Sequence, residues 1–114
     1  MKTKSESFNE ASKIKWEYPA PGIKRQIMGY DGQIMLVKVL FEKGAVGEPH
    51  EHYHSQSTYI VSGVFEVLIG KEKKILKGGD GYSIKPDEWH GAVCLEEGIL
   101  IDVFSPMRAD FLED

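Results

Sequence analysis

Four histidines carry most of the chemistry that this chain can offer. Three of them fall in Pro49-His50-Glu51-His52-Tyr53-His54, and the fourth is His90. In an extended strand, residues two apart point to the same side. His50 and His52 can therefore aim two imidazoles at one point. Gln56 follows across a bend, and it can offer a metal only its amide oxygen, leaving its NH2 to donate elsewhere. His90, arriving on another strand, completes a site of three nitrogens and one oxygen. Imidazole suits several first-row metals, so the ligand set leaves the ion open among nickel, zinc, iron and manganese. The competing reading is a solvated polar stretch plus a core histidine. His54 is either a fourth ligand in place of Gln56 or a residue behind or beside the site.

Further candidates lie downstream. Ile99-Leu100-Ile101-Asp102-Val103-Phe104 is an apolar run interrupted by Asp102. Facing outward, Asp102 is an ordinary solvated carboxylate. Facing inward, it shares a dry cavity with the metal and can move a proton or orient a ligand. A one-residue slip in strand register decides between the two. Leu100 and Phe104 share its face. Arg108, in the tail, is either a surface arginine or a fork reaching back over the cavity to hold a carboxylate. Tyr82 and Trp89 are candidates for a cavity wall or for packing. Cys94 reads as a buried, inert thiol, with a weaker claim as an extra ligand.

The elements that must position these residues are strands. After Trp16, short apolar runs alternate with turn residues, the pattern of an all-β domain. Ile23–Tyr30 and Gln33–Phe41 flank Asp31-Gly32, a two-residue hairpin signal. Met35, Val37, Val39 and Phe41 share one face; Ile34, Leu36 and Leu40 lie on the other and offer an apolar surface for a second copy or for the N-terminal arm. Thr58–Ser62, Val64–Ile69, Lys74–Leu76, Gly81–Ile84, His90–Leu95 and Ile99–Phe104 read as further strands, with breaks at Gly63 and at Glu96-Glu97-Gly98. Residues 1–15 are expected to form an arm with a short helix near Ser7–Ser12, and residues 16–114 one barrel.

Composition excludes other classes. Apolar residues make up 41% and charged residues 28% of 114 residues, with a formal charge of −4, which reads as globular rather than disordered. No basic patch suggests nucleic acid. One cysteine allows no internal disulfide and fits a reducing compartment. No signal-peptide or membrane-spanning run is evident, so a cytoplasmic protein is expected.

The spacing Gly44-x5-His50-x-His52-x3-Gln56-x6-Gly63 resembles the first cupin motif, with Gln56 where the motif has glutamate. Aligned on His90, the second motif is degenerate. Gly79 meets its glycine, and Asp87 takes the second glycine position, where a short polar side chain tolerates left-handed backbone. Lys85 stands at the proline, with Pro86 one residue on, and Cys94 stands at the asparagine. The resemblance implies a small cupin double-stranded β-helix, a jelly-roll barrel, commonly dimeric. Glutamine keeps the shape of glutamate and removes one charge, which should weaken metal affinity and strengthen the pull on an anion.

The ending Asp102-Val103-Phe104-Ser105-Pro106-x-Arg108-x-Asp110-Phe111 is similar to that of the pectin-degradation cupins of the KdgF type, which ketonise unsaturated uronates. That resemblance implies metal binding by His50, His52, Gln56 and His90, and substrate handling by Asp102, Phe104 and Arg108. Three functions follow as expectations. The first is metal-assisted isomerisation of a small acidic sugar. The second is a metal-dependent dioxygenase. The third is a non-catalytic ligand-binding module.

Overall fold

The computed structural model describes residues 3–112. Eight strands form one continuous antiparallel network: β1 (Glu17–Ala20), β2 (Ile23–Tyr30), β3 (Met35–Phe41), β4 (Val46–His50), β5 (Ser55–Ile69), β6 (Glu72–Lys77), β7 (Gly81–Ile84) and β8 (His90–Ser105). The only helical pieces among the described residues are two 3-10 turns, Ala11–Lys13 and Ala109–Leu112.

The architecture rests on β5 and β8, which pair with each other along nearly their whole length, from Ser55↔Ser105 to Ile69↔His90. One half of the pair carries β7 on β5 and β3, β2 and β1 beyond β8. The other half carries β6 on β5 and β4 on β8. The two strands thus pass from one sheet to the other, which closes the all-β jelly roll anticipated from the sequence. The expected breaks at Gly63 and Gly98 are these crossing points. There the ladder slips register, and the backbones approach so closely that a Cβ on Gly63 would lie 2.5 Å from the Gly98 Cα. Gly63 also holds φ +89, a conformation natural only to glycine.

The inward faces obey the two-residue period. Met35, Val37, Val39 and Phe41 are buried on β3, and Ile60, Phe65 and Val67 on β5. Phe41 and Phe65 meet edge to face at 5.3 Å. Cys94 is in this core; its thiol donates to the Glu96 carbonyl at 3.0 Å, and burial raises its pKa.

The β2–β3 connection is wider than the two-residue turn expected. Tyr30 pairs with Met35, and the Asp31 carboxylate accepts from the backbone amides of Gln33 and Ile34. The arm is tied down by Gln26. Its amide, fully buried, donates to the carbonyls of Ala11 and Ile14 at 2.8 and 2.9 Å. The helical turn of the arm falls at Ala11–Lys13, later than the Ser7–Ser12 expected.

Candidate metal centre

β4 ends on His50, and the chain then bends through Glu51–His54 before β5 begins, bringing His52 back toward Gln56. His50 pairs across the ladder with His90, the first residue of β8. The ring centroids of His50 and His90 are 4.3 Å apart, and those of His52 and His90 4.8 Å. One ligand nitrogen from each of the three lies within 4.8 Å of the other two.

The orientation of these rings is set from behind. Nδ1 of His50 lies 2.9 Å from the Glu48 carbonyl, Nδ1 of His52 3.1 Å from the His54 carbonyl, and Nδ1 of His90 2.8 Å from the Glu88 carbonyl. A carbonyl only accepts, so each Nδ1 carries a hydrogen, and the neutral form of each ring keeps its lone pair on Nε2. Nε2 of His90 is buried with no protein partner. Nε2 of His52 faces Oε1 of Gln56 at 3.0 Å. The Gln56 amide nitrogen points the other way, donating to Thr58 Oγ1 at 2.9 Å and Asp102 Oδ1 at 3.4 Å. Converging lone pairs, one buried and unpartnered, are the donor set a divalent cation satisfies. Burial lowers the pKa of His90 to about 4 against the Glu88 hydrogen bond that favours its charged form, and burial likewise lowers His52. Both shifts favour the neutral ring that ligation requires.

The centre opens into a cup of about 410 Å³. Asp102 lines it, so the inward alternative is the one realised. Its Oδ1 accepts from Thr58 Oγ1 at 2.6 Å. Asp102 touches the space inside the cup and is otherwise enclosed by protein; burial raises its pKa to about 6, against the Thr58 hydrogen bond and the Arg108 charge that pull it down. Phe104 is buried and set edge-on to His52 at 5.7 Å. Tyr82 is a cup wall whose hydroxyl burial keeps protonated, whereas Trp89 is exposed. His54 is buried behind the site, its ring stacked on Tyr53 at 4.0 Å, and it joins the centre through its carbonyl rather than its ring.

The tail does return over the cup. Arg108 packs against Phe104 and Phe111, but its Nε and one terminal nitrogen are held by the two oxygens of Asp110 at 3.0 and 2.9 Å. Burial alone would raise Asp110; the guanidinium holds it below the usual carboxylate range. Arg25, which lines the cup, and Thr58, buried and hydrogen-bonded to both Asp102 and Gln56, are site residues that sequence reasoning missed. Thr58 shares the face of Gln56 two residues away, and Arg25 interrupts the inward series Ile23-Arg25-Ile27, so alternation held the signal for both. A larger groove, about 1010 Å³, runs past Tyr18, Pro21, Lys24 and Glu97 and contains no histidine.

Residues 37–104 match the cupin domain family. The chain belongs to the cupin family. Among curated relatives, this cupin is 54% identical over 99 residues to the pectin degradation protein KdgF of Dickeya dadantii, covering 85% of this chain and 90% of the relative. Among solved structures, an RmlC-like cupin from Shewanella frigidimarina superimposes with a TM-score of 0.93 at 44% identity, covering 96% of this chain and 99% of that one. KdgF from Halomonas sp. superimposes with a TM-score of 0.88 at 41% identity, covering 94% and 99%. This cupin is a KdgF homologue, and its three converging histidines support a metal-binding site.

Proposed function

We propose that this cupin is a metal-dependent enzyme that ketonises an unsaturated uronate, or a similar small acidic sugar, by proton transfer. The observation that supports this most is Asp102: a carboxylate in the cup, hydrogen-bonded to the proposed ligand Gln56 and to Thr58, with a pKa pushed up to about 6. A carboxylate held in place beside the proposed ligands and enclosed by protein can both take and return a proton. Identity to KdgF, a pectin degradation protein, supports the substrate class.

In this reading His50, His52, Gln56 and His90 hold one divalent ion, which when bound polarises a substrate oxygen and stabilises developing negative charge. Thr58 and the Gln56 amide hold the Asp102 carboxylate so that its free oxygen meets the sugar. Asp102 takes a proton from a substrate oxygen and returns one to carbon, so the atoms rearrange with no net oxidation. Phe104 fixes the His52 ring and walls the cup. Arg108, at the mouth, keeps N–H groups that Asp110 does not take and that suit an anionic substrate.

The test is loss of the ultraviolet absorbance of the conjugated double bond of a lyase-generated unsaturated galacturonate. The metal-loaded protein should consume it without oxygen uptake. Asp102→Asn should lower kcat by about 10²–10⁴-fold while metal content stays unchanged. Failure of the metal-loaded parent to consume the sugar, or full activity in Asp102→Asn, would overturn the reading.

A further inference from the structure

Two guanidinium groups reach the cup, and they are not equivalent. Arg108 offers its forked edge to Asp110 through two bonds. That leaves three of its five N–H groups, all on its terminal nitrogens, against four for a guanidinium that gives up its Nε alone. Arg25, on β2, pairs across the sheet with Val39 and lines the same cup. It donates only its Nε, to Glu17 Oε1 at 2.8 Å. Its two terminal nitrogens have no hydrogen-bond acceptor among the described residues. The side chain is nonetheless only 19% exposed, and its guanidinium lies 3.7 Å from the centre of the Phe111 ring. Glu17 fixes one edge and Phe111 supports the plane, so the remaining donors are held in place rather than left to wander.

We infer that Arg25 grips the carboxylate of the ligand. A planar guanidinium with two free amino groups suits a carboxylate in a forked pair. The site then has two poles, the histidine cluster for hydroxyl or carbonyl oxygens and Arg25 for the acid group. The ligand class is a sugar acid small enough for a cup of about 410 Å³. This inference deepens the proposed function and rests on it for the placement of ligand in the cup.

The experiment is equilibrium binding of D-galacturonate and D-galactose to the metal-loaded protein by titration calorimetry. The parent should prefer the acid. Arg25→Met should weaken galacturonate binding by about tenfold or more and leave galactose unchanged, since only the lost charged hydrogen bonds distinguish the two. Arg25→Lys keeps the charge and the stem, supports folding, and should still lose most of the preference. Metal content and thermal unfolding of each variant report whether the fold is intact. Equal binding of the two sugars by the parent, or a preference that survives both Arg25 substitutions, overturns the inference. Its failure is distinct from that of the enzymatic reading. Turnover with a preference insensitive to Arg25 removes the anchor alone; a preference erased by Arg25→Met without turnover removes the catalysis alone.

Discussion

Oε1 of Gln56 lies 3.0 Å from Nε2 of His52, while the Nδ1 of the same ring donates to the His54 carbonyl. Two lone pairs thus face each other, an arrangement that repels unless a cation or proton sits between them. Loading with a divalent ion should therefore stabilise the fold. At a free metal concentration of a hundred times Kd the gain is about 2.7 kcal/mol. Thermal unfolding with and without chelator measures it. His52→Ala should abolish the shift, and metal analysis should give one ion per parent chain. Gln56→Glu replaces a neutral oxygen by a charged one and should tighten binding. A Tm indifferent to nickel, zinc, iron and manganese would contradict the assigned centre.

Asp102 gives the metal-free protein a definite pH signature. Its pKa is about 6 when folded and 3.8 as an ordinary carboxyl. The folded state holds this proton more tightly, so its contribution to stability is fully present below pH 3.8 and is lost as pH rises through 6. Asp102→Asn keeps the oxygen that accepts from Thr58 and removes the charge. It should stabilise the chelated protein at pH 7.5 by about 1–3 kcal/mol, with the gain vanishing near pH 4. His90 runs the other way: its folded pKa of about 4 lies under 6.5, so its contribution is lost as pH falls between those values. In the parent the two oppose each other. In Asp102→Asn the histidine loss is uncompensated, and stability should fall more steeply on acidification. Urea unfolding across pH 4–8, in chelator, reads both slopes. A variant less stable than the parent at pH 7.5 would show that the carboxylate's bonds outweigh its burial.

Residues that act through local spacing were legible beforehand. Alternation placed Met35, Val37, Val39 and Phe41 inside, the histidine spacing converged, and Asp87 takes the left-handed φ of 62 expected at its motif position. Features that depend on a partner strand were not. Gly63 and Glu96-Glu97-Gly98 have turn composition, but they lie where β5 and β8 cross between sheets, a fact visible only with both strands present. The Asp31-Gly32 signal was overridden because the Asp31 carboxylate ties down two later amides and widens the loop. Spacing leaves Arg108 between a surface arginine and a fork over the cavity; it lines the cup, and its occupation by Asp110 depends on the turn of the tail. Arg25 was missed because a charged residue on a strand is read as outward by default.

The crossing point sets a sharp contrast between two glycines. An added Cβ at Gly63 would sit 2.5–2.7 Å from the Gly98 Cα and the carbonyl oxygens of Glu97 and Glu96, on top of a φ of +89. Those contacts are backbone atoms of a paired strand and cannot swing aside. Gly63→Ala should cost about 3 kcal/mol or more, through both strain and displaced ladder. Gly44 has a similar φ of +86 but open space around the same position. Gly44→Ala should cost only the conformational penalty, about 1–2 kcal/mol. Denaturant midpoints of the two variants separate the terms, and equal losses would mean that the close approach contributes nothing.

The arm supplies the last test. Gln26 is buried on the outer face of β2, opposite the face that carries Arg25, and its amide is the donor for both Ala11 and Ile14 carbonyls. Ser5 adds a second tie, exchanging backbone and hydroxyl bonds with Tyr30. Gln26→Ala leaves the Ile14 carbonyl without a donor and the Ala11 carbonyl with only the Ile14 amide at 3.4 Å, and opens a void under the arm, for a loss of about 1–3 kcal/mol. The effect should be local before it is global. Trypsin should cut after Lys13 or Lys15 several times faster in the variant, under conditions where the barrel stays intact, because limited cleavage reports local opening. Ser12→Ala, on an exposed side chain of the same arm, should leave the cleavage rate unchanged. Unaltered proteolysis in Gln26→Ala would mean that the Ser5–Tyr30 tie and the packing of Trp16 against Lys24 and Lys38 hold the arm without the glutamine.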